Sequence, residues 1–314
     1  MGKQRKRKGD PVHGWLAVDK PVEVTSTKVV GILKRLFNAQ KAGHGGTLDP
    51  LADGILPIAF GEATKTAQWA MDCDKEYVFT VEWGTSTATQ DKEGEVIATS
   101  EVRPSREALE NVLPDFIGDI QQIPPKYSAI KIDGERAYDL ARDGEAFEIP
   151  SREVTVYEAE IMGEPTETHA TFRVVSGKGF YVRAMARDIA HAVGAEGHVS
   201  ALRRTRVGPM DESNSITLAD LEVMAEDQER LQAELTPLET VLEGIPQISI
   251  DTGDAAALKH GREIILLPHI VEQWRDEKSD DPDNRLGLAK CDGVAIALGE
   301  VRAGRFQPSK VFQL

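Results

Sequence analysis

Residues 43–62 constrain this chain more than any other stretch. They are apolar enough to be buried, yet Gly43, Gly45, Gly46, Gly54 and Gly61 and the prolines Pro50 and Pro57 punctuate them. Glycine lets a backbone take positive φ or approach a ligand closely. The spacing is not that of a nucleotide-phosphate loop, because no Gly-Lys-Ser/Thr follows and no βαβ frame surrounds it. Asp49 stands inside this apolar loop, between Leu48 and Pro50. A carboxylate so placed is a turn former or a held reactive group. An Asp before Pro is more often the former.

The rest of the pattern mixes strands and helices without regular alternation, which argues for an α+β fold rather than a doubly wound sheet. Gly14–Lys20 reads as a strand stopped by Pro21. Thr25-Ser26-Thr27 offers an N-cap for a helix with Val29, Val30, Ile32, Leu33 and Leu36 on its apolar face. A second helical stretch runs from Ala63 to Met71. Tyr77, Phe79, Val81 and Trp83 alternate as in a half-buried strand, which turns at 91–94 into a partner at 96–98. Ser105 caps a helix to Leu113, and 127–132 reads as a strand ending at Asp133-Gly134. A helical stretch at 137–142 and strands near 153–162 and 169–176 precede a helix from about Arg183 to Val193. Residues 215–243 read as helical and acidic. From Pro246 short β pieces (248–250, 264–267, 286–290, 294–298 and 310–312) predict a small β-barrel, interrupted by a polar loop at 276–284. The expected organisation is a disordered basic tail at 1–10, a catalytic domain at 11–245 and a small C-terminal domain at 246–314.

The formal charge of −15 disfavours a polyanionic partner if taken alone. The charge is unevenly spread, however. Residues 211–250 hold ten carboxylates and one cation, Arg230, whereas Lys28, Lys34, Arg35 and Lys41 cluster, as do Arg203, Arg204 and Arg206. Exposed charges are screened beyond about 10 Å at ~0.1 M salt, so basic faces act locally. These two clusters are the candidates for phosphate contacts. No apolar run approaches the length needed to span a bilayer, so no membrane association is expected. Cys73 and Cys291 are the only cysteines and have no metal-ligand spacing around them, so neither a disulfide framework nor a metal is expected, and a reducing cytoplasm is the default compartment.

A buried carboxylate needs a partner. Arg183, where Phe180-Tyr181-Val182 runs into a helix, is the candidate, through a two-pronged contact. Tyr77 and Tyr181 sit on predicted strands, where core packing is the commoner role. His44 could stack on a base, contact a phosphate or only satisfy its loop.

The run Gly43-His44-Gly45-Gly46-Thr47-Leu48-Asp49-Pro50-Leu51-Ala52-Asp53-Gly54-Ile55-Leu56-Pro57 closely resembles the catalytic motif of the TruB family of tRNA pseudouridine synthases. Asp19-Lys20-Pro21, Lys75-Glu76-Tyr77, Pro124–Lys131, Gly179-Phe180-Tyr181-Val182-Arg183 and Leu202-Arg203-Arg204 agree in the family's order. The resemblance covers residues 13–210. It implies the pseudouridine synthase fold, a largely antiparallel mixed sheet flanked by helices, and a C-terminal PUA-like RNA-binding module. It implies conversion of uridine 55 in the TΨC arm of tRNA to pseudouridine, with no cofactor. By resemblance Asp49 is the essential aspartate, Arg183 pairs with it and keeps it ionised and aimed, and Tyr77 stacks on the target base. His44 helps hold the RNA, Tyr181 and Leu202 line the site, and Lys20 is a basic residue near it. The expected partner is tRNA, bound by a monomer with no protein partner. The alternatives are an RNA-binding tRNA-folding factor and a guide-RNA-dependent relative.

Overall fold

The computed structural model describes residues 9–128, 130–132, 135–142, 147–277 and 284–314. Strand β1 (Gly14–Lys20) leads into helix α1 (Ser26–Leu36). The Thr25 hydroxyl accepts from the Lys28 amide at 3.1 Å, which satisfies one of the orphan donors of the first turn. Val29 and Leu33 are fully buried, and Lys34 and Arg35 stand in the last turn, where cations favour the helix dipole. Residues 1–8 of the expected tail lie outside the described residues. Gly9 and Asp10 are tied to the end of this helix: the Asp10 amide donates to Asn38 O at 2.6 Å, and Gln40 Nε2 to Gly9 O at 3.0 Å.

The apolar loop expected at 43–62 is in large part regular. After β2 (Ala42–His44) and the turn bearing Asp49 comes β3 (Asp53–Phe60), buried from Gly54 to Phe60. Pro57 survives inside this strand because its amide position faces a gap in the ladder. Ala17 of β1 pairs it on one side, while on the other its carbonyl accepts from Gly45, outside β2.

A 3-10 turn (Gly61–Thr66) and α2 (Ala67–Asp72) lead to β4 (Lys75–Trp83). The partner strand expected at 96–98 exists as β6 (Val96–Thr99), but it pairs with β5 (Thr85–Thr87) and not with β4. Helix α3 (Arg106–Val112) is capped by Ser105. Strand β7 (Gly118–Gln122), unexpected from its polar sequence, forms a sheet edge. Of the strand expected at 127–132, β8 (Lys131–Ile132) is formed among the described residues, opposite β9 (Glu135–Arg136); Ala129, Asp133 and Gly134 lie outside them. Then follow α4 (Ala137–Arg142), β10 (Arg152–Met162), β11 (His169–Ser176), α5 (Val182–Ala192) and β12 (Gly197–Val207). Strand β12 was not expected, because Arg203, Arg204 and Arg206 interrupt its apolar alternation.

After β13 (Met210–Asp211) and β14 (Ile216–Thr217), the acidic segment contains only short helices, α6 (Leu218–Val223) and α7 (Gln228–Ala233), and a 3-10 turn at Leu238–Leu242. Its leucines face inward, and Thr236 exchanges main-chain hydrogen bonds with Trp15, so the segment braces β1. The large sheet runs β14-β1-β3-β12-β4-β11-β10-β7. It is antiparallel except for β1 with β14 and β3 with β12, the α+β architecture expected.

The C-terminal part holds β15 (Gln247–Ser249), α8 (Thr252–Lys259), β16 (Ile264–Ile265), α9 (Pro268–Glu277), β17 (Leu286–Cys291), β18 (Val294–Arg302) and β19 (Arg305–Val311). The β pieces fall where expected, but two helices lie between them. The sheet, β15-β17-β18-β19-β16, is a curled half-barrel rather than a closed barrel, consistent with a PUA-like module. It is not separate from the large sheet: one apolar cluster joins Trp15 and Ile55 to Leu288, Leu298 and Phe312.

Gly54 marks the point where β3 pairs with β12, opposite Arg204. Its φ is +99°, and an added Cβ would stand 2.2 Å from the Arg204 carbonyl oxygen. Gly54→Ala is therefore expected to destabilise the fold by about 3 kcal/mol, measured by urea denaturation; a change within ~0.5 kcal/mol would mean that the strands can part there at no cost.

Candidate functional site

The turn carrying Asp49 is held from several sides. Ser26 Oγ donates to Leu48 O and accepts from Leu48 N, both at 2.9 Å. The Glu23 amide donates to Pro50 O at 2.7 Å. Lys20 Nζ donates to Pro21 O and Val24 O at 2.8 Å and reaches Pro50 O at 3.5 Å. Below the loop, Arg204 donates to Ile55 O, Thr47 O and Gly46 O at 2.8, 3.3 and 3.2 Å. Leu48 and Leu51 are buried on either side. Asp49 is indeed a turn former, because its carbonyl accepts from Ala52 N at 3.1 Å. Its carboxylate is not used in that turn and is 34 % exposed.

Arg183 enters from the first turn of α5, with its side chain 6 % exposed. Its Nε lies 2.9 Å from Asp49 Oδ2, an ion pair without the alignment of a hydrogen bond. The expected two-pronged contact is not formed, because the other nitrogens are engaged elsewhere. Nη1 donates to Thr89 O at 2.9 Å and lies 3.4 Å from Asp91 Oδ2, and Nη2 donates to Tyr127 O at 3.0 Å. Asp91, 2 % exposed, is the site residue that sequence reasoning missed. Asp-Lys-Glu-Gly reads as a turn and is one, with Gly94 N donating to Asp91 O. The Asp91 carboxylate also accepts from Thr89 Oγ1 at 2.5 Å and from Glu93 N at 3.0 Å. No local signal separates it from an ordinary turn aspartate. A buried ion held by several partners is compensated where an isolated one would not be.

Tyr77 is half-buried on β4, opposite Arg204 of β12, and borders the apolar cluster that contains Leu48, Leu51, Val182 and Leu202. Its ring lies 6.4 Å from that of Phe180. Leu202, 7 % exposed, is a wall residue of this cluster. His44 is on β2, its Nδ1 buried and without a partner among the described residues. Burial and the nearby Arg204 charge push its pKa down, favouring the neutral ring. The Tyr181 ring does not join this group directly. It packs under the Arg152 guanidinium, 4.7 Å from Cζ to the ring centroid, while Gln122 pairs with its main chain.

The two basic clusters have different fates. Lys28, Lys34, Arg35 and Lys41 are exposed and, among the described residues, free of ion pairs. Arg203 and Arg204 are not phosphate ligands in this fold: Arg204 is buried under the loop, and Arg203 is surrounded by Asp19, Asp53 and Glu212. Among the described residues no group of His, Cys, Asp and Glu could hold a metal, and no helix is long and apolar enough to cross a membrane.

Comparison with known proteins is consistent along the whole chain. The model of the TruB family pseudouridylate synthase N-terminal domain matches residues 34–182, and that of the tRNA pseudouridylate synthase B C-terminal domain matches residues 183–243. The chain is 52% identical over 310 residues to tRNA pseudouridine synthase B of Caulobacter vibrioides, covering 99% of both chains. It is 48% identical to the protein of that name from Bradyrhizobium diazoefficiens, over 100% of this chain and 89% of the relative. Among solved structures, a chain of a Cbf5-Nop10-Gar1 complex superposes with a TM-score of 0.71 at 25% identity, over 99% of this chain and 91% of that one.

Burial lowers the pKa of Lys20 to about 8, from the 10.5 usual for a lysine. Below pH 8 its folded-state charge carries the full cost of desolvation. Between pH 8 and 10.5 the folded chain holds less of that proton than the unfolded chain, so the Lys20 contribution to stability rises with pH. In paired denaturation series the stability of the native protein relative to Lys20→Met should therefore increase from pH 8 to 10.5. A flat or falling difference would contradict the assignment.

Proposed function

The chain belongs to the TruB family of pseudouridylate synthases, enzymes that isomerise uridine, and we propose that it converts uridine 55 in the TΨC arm of tRNA to pseudouridine. The observation that carries this reading is the Asp49 carboxylate, one-third exposed on a loop whose flanks are buried, with the buried Arg183 guanidinium behind it. The tRNA pseudouridine synthase B relatives support tRNA as the substrate, at 52% identity against 25% for the Cbf5 chain.

The reaction breaks the N1–C1′ glycosidic bond, turns the uracil and joins C5 to C1′. C5 gives up its proton and N1 ends protonated, so nothing is oxidised or reduced. Asp49 is positioned to act at the sugar, either by adding at C1′ or by taking a proton from C2′; both roles use its ionised form. Arg183 is the countercharge that aims it, and Asp91 holds Arg183 from behind. The uridine must leave the RNA stack to reach this depth. Tyr77 offers its ring to the extracted base, a contact worth ~1–3 kcal/mol against the unstacking cost. His44, as a neutral ring beside the loop, faces RNA without adding charge, and Leu202 closes the apolar wall. Lys20 acts through the Pro50 carbonyl, as a positioning residue. Tyr181, packed under Arg152, lines the approach rather than the reacting centre. The exposed cations of α1 supply phosphate contacts. Residues 11–245 form the catalytic unit, and 246–314 the RNA-binding module docked on it.

Pseudouridine mapping on unmodified tRNA tests this reading, with a uridine-55-to-cytidine tRNA as the control. The native protein should modify the first and leave the second unmodified. Asp49→Asn should lower the rate by at least about 10³-fold while still binding tRNA. Undiminished turnover by Asp49→Asn would remove Asp49 from the chemistry, and modification at another position would remove the site assignment.

A further inference from the structure

Strand β7 closes one edge of the large sheet, and its sequence, Gly-Asp-Ile-Gln-Gln, is polar. Gln122 is nevertheless only 1 % exposed, the one buried residue of that strand. A buried carboxamide is costly unless its acceptor and its donor are both used. Gln122 uses them on a single residue. Tyr181 N donates to Gln122 Oε1 at 2.8 Å, and Gln122 Nε2 donates to Tyr181 O at 3.1 Å. The side chain thus pairs with the Tyr181 main chain much as an opposite strand residue would.

Helix α5 begins just after Tyr181. The Tyr181 carbonyl also accepts from Met185 N at 3.1 Å, and its side chain makes no capping hydrogen bond. With no cap of its own, the helix takes its entry angle from what grips Tyr181. Arg183 is the second residue of α5, so that angle also sets the direction in which its side chain leaves. The chain beyond Gln122 runs along the same helix: Tyr127 O accepts from Arg183 Nη2 and Ile123 O from Arg187 Nη2, both at 3.0 Å. Arg152, the partner of Gln122 across β7 and β10, donates to Gly179 O and lies over the Tyr181 ring. Two side chains from the sheet edge therefore grip residues 179–181, immediately before the arginine that faces Asp49.

We propose that Gln122 is a positioning residue for the isomerisation. Its carboxamide fixes the first turn of α5 through the Tyr181 main chain and so places Arg183 against Asp49. This inference rests on the RNA-isomerising function above. Thr89 O, Tyr127 O and the Asp91 carboxylate hold the far end of the Arg183 side chain, and Gln122 holds its root. The contact of Arg183 Nε with Asp49 Oδ2 is a single one at 2.9 Å, without the alignment of a hydrogen bond, so a tilt of the helix alters it directly.

The test follows single-turnover pseudouridine formation on an unmodified T-arm hairpin by the full-length protein and its variants. Gln122→Met keeps the length of the side chain and removes both hydrogen bonds. Its rate at saturating hairpin should fall between about 10- and 100-fold, the scale of a misplacement of ~1 Å. The hairpin concentration giving half the maximal rate should stay within about twofold of the native value. Gln122→Asn keeps a carboxamide but is one carbon too short to span both Tyr181 groups. It should lose rate to the same degree, and it covers the case in which Gln122→Met does not fold. In Arg183→Lys, adding the Gln122 substitution should lower the rate by less than about twofold more, because Gln122 acts through Arg183. The assignment is overturned if the Gln122 variants turn over within twofold of the native protein. It is overturned as well if the loss falls on the half-maximal concentration alone, the mark of a role in holding RNA, or is as large in Arg183→Lys as in the native protein, the mark of a purely structural role. Failure of the native protein to modify the hairpin would instead bring down the isomerase reading, and this inference with it.

Discussion

The guanidinium of Arg204 holds the rest of the site together. It is 2 % exposed and donates to three carbonyls of the loop and strand around Asp49. Among the described residues no carboxylate pairs with it, so main-chain oxygens alone compensate the charge. Such a group tolerates burial only while all its acceptors stay in place. The central strand β12 and the Asp49 loop are thereby locked to each other, and positive-φ glycines at 46 and 54 leave room for the lock. Its field also reaches His44, Lys20 and Lys75, and each is pushed toward its neutral form, with burial the larger cause.

Above that lock, Arg183 works between two carboxylates with different surroundings. Asp91 is buried and hydrogen-bonded on its own side, whereas Asp49 is open to solvent on one face. One cation thus has a buried anchor and a solvent-open partner. Carbonyls from Thr89 and Tyr127 take the remaining donors, so the guanidinium cannot turn to grip Asp49 with two prongs. The single contact leaves the carboxylate open to solvent while its charge stays compensated.

The overall acidity of the chain is reconciled with an RNA substrate by placement. The ten carboxylates of 211–250 line a brace that buries its leucines against β1 and turns its charge outward. Lys28, Lys34 and Arg35 remain exposed on α1, while on β12 Arg204 is buried and Arg203 is held by Asp19, Asp53 and Glu212. Screening over ~10 Å lets the two regions act separately.

Much was legible from residues alone. Thr25 and Ser105 cap the helices they announce, the alternation at 77–83 is a strand, and the mixed order of elements is an α+β sheet. The Asp49, Tyr77 and Arg183 motifs pointed to the family. Local pattern failed where burial came from the other side of the sheet. Strand β12 hides its periodicity behind three arginines, of which Arg203 and Arg204 are satisfied by groups on other segments, and β3 carries a proline that only a gap in the ladder permits. Asp91 looked like any turn aspartate, and the Arg203–Arg206 cluster looked like a phosphate-binding face. The sequence by itself determined which side chains are chemically able to react, because residue type and spacing are local. Only the tertiary structure decided which charges are buried and with whom they pair, because the energy of a charge depends on the dielectric and the partners that distant segments bring to it.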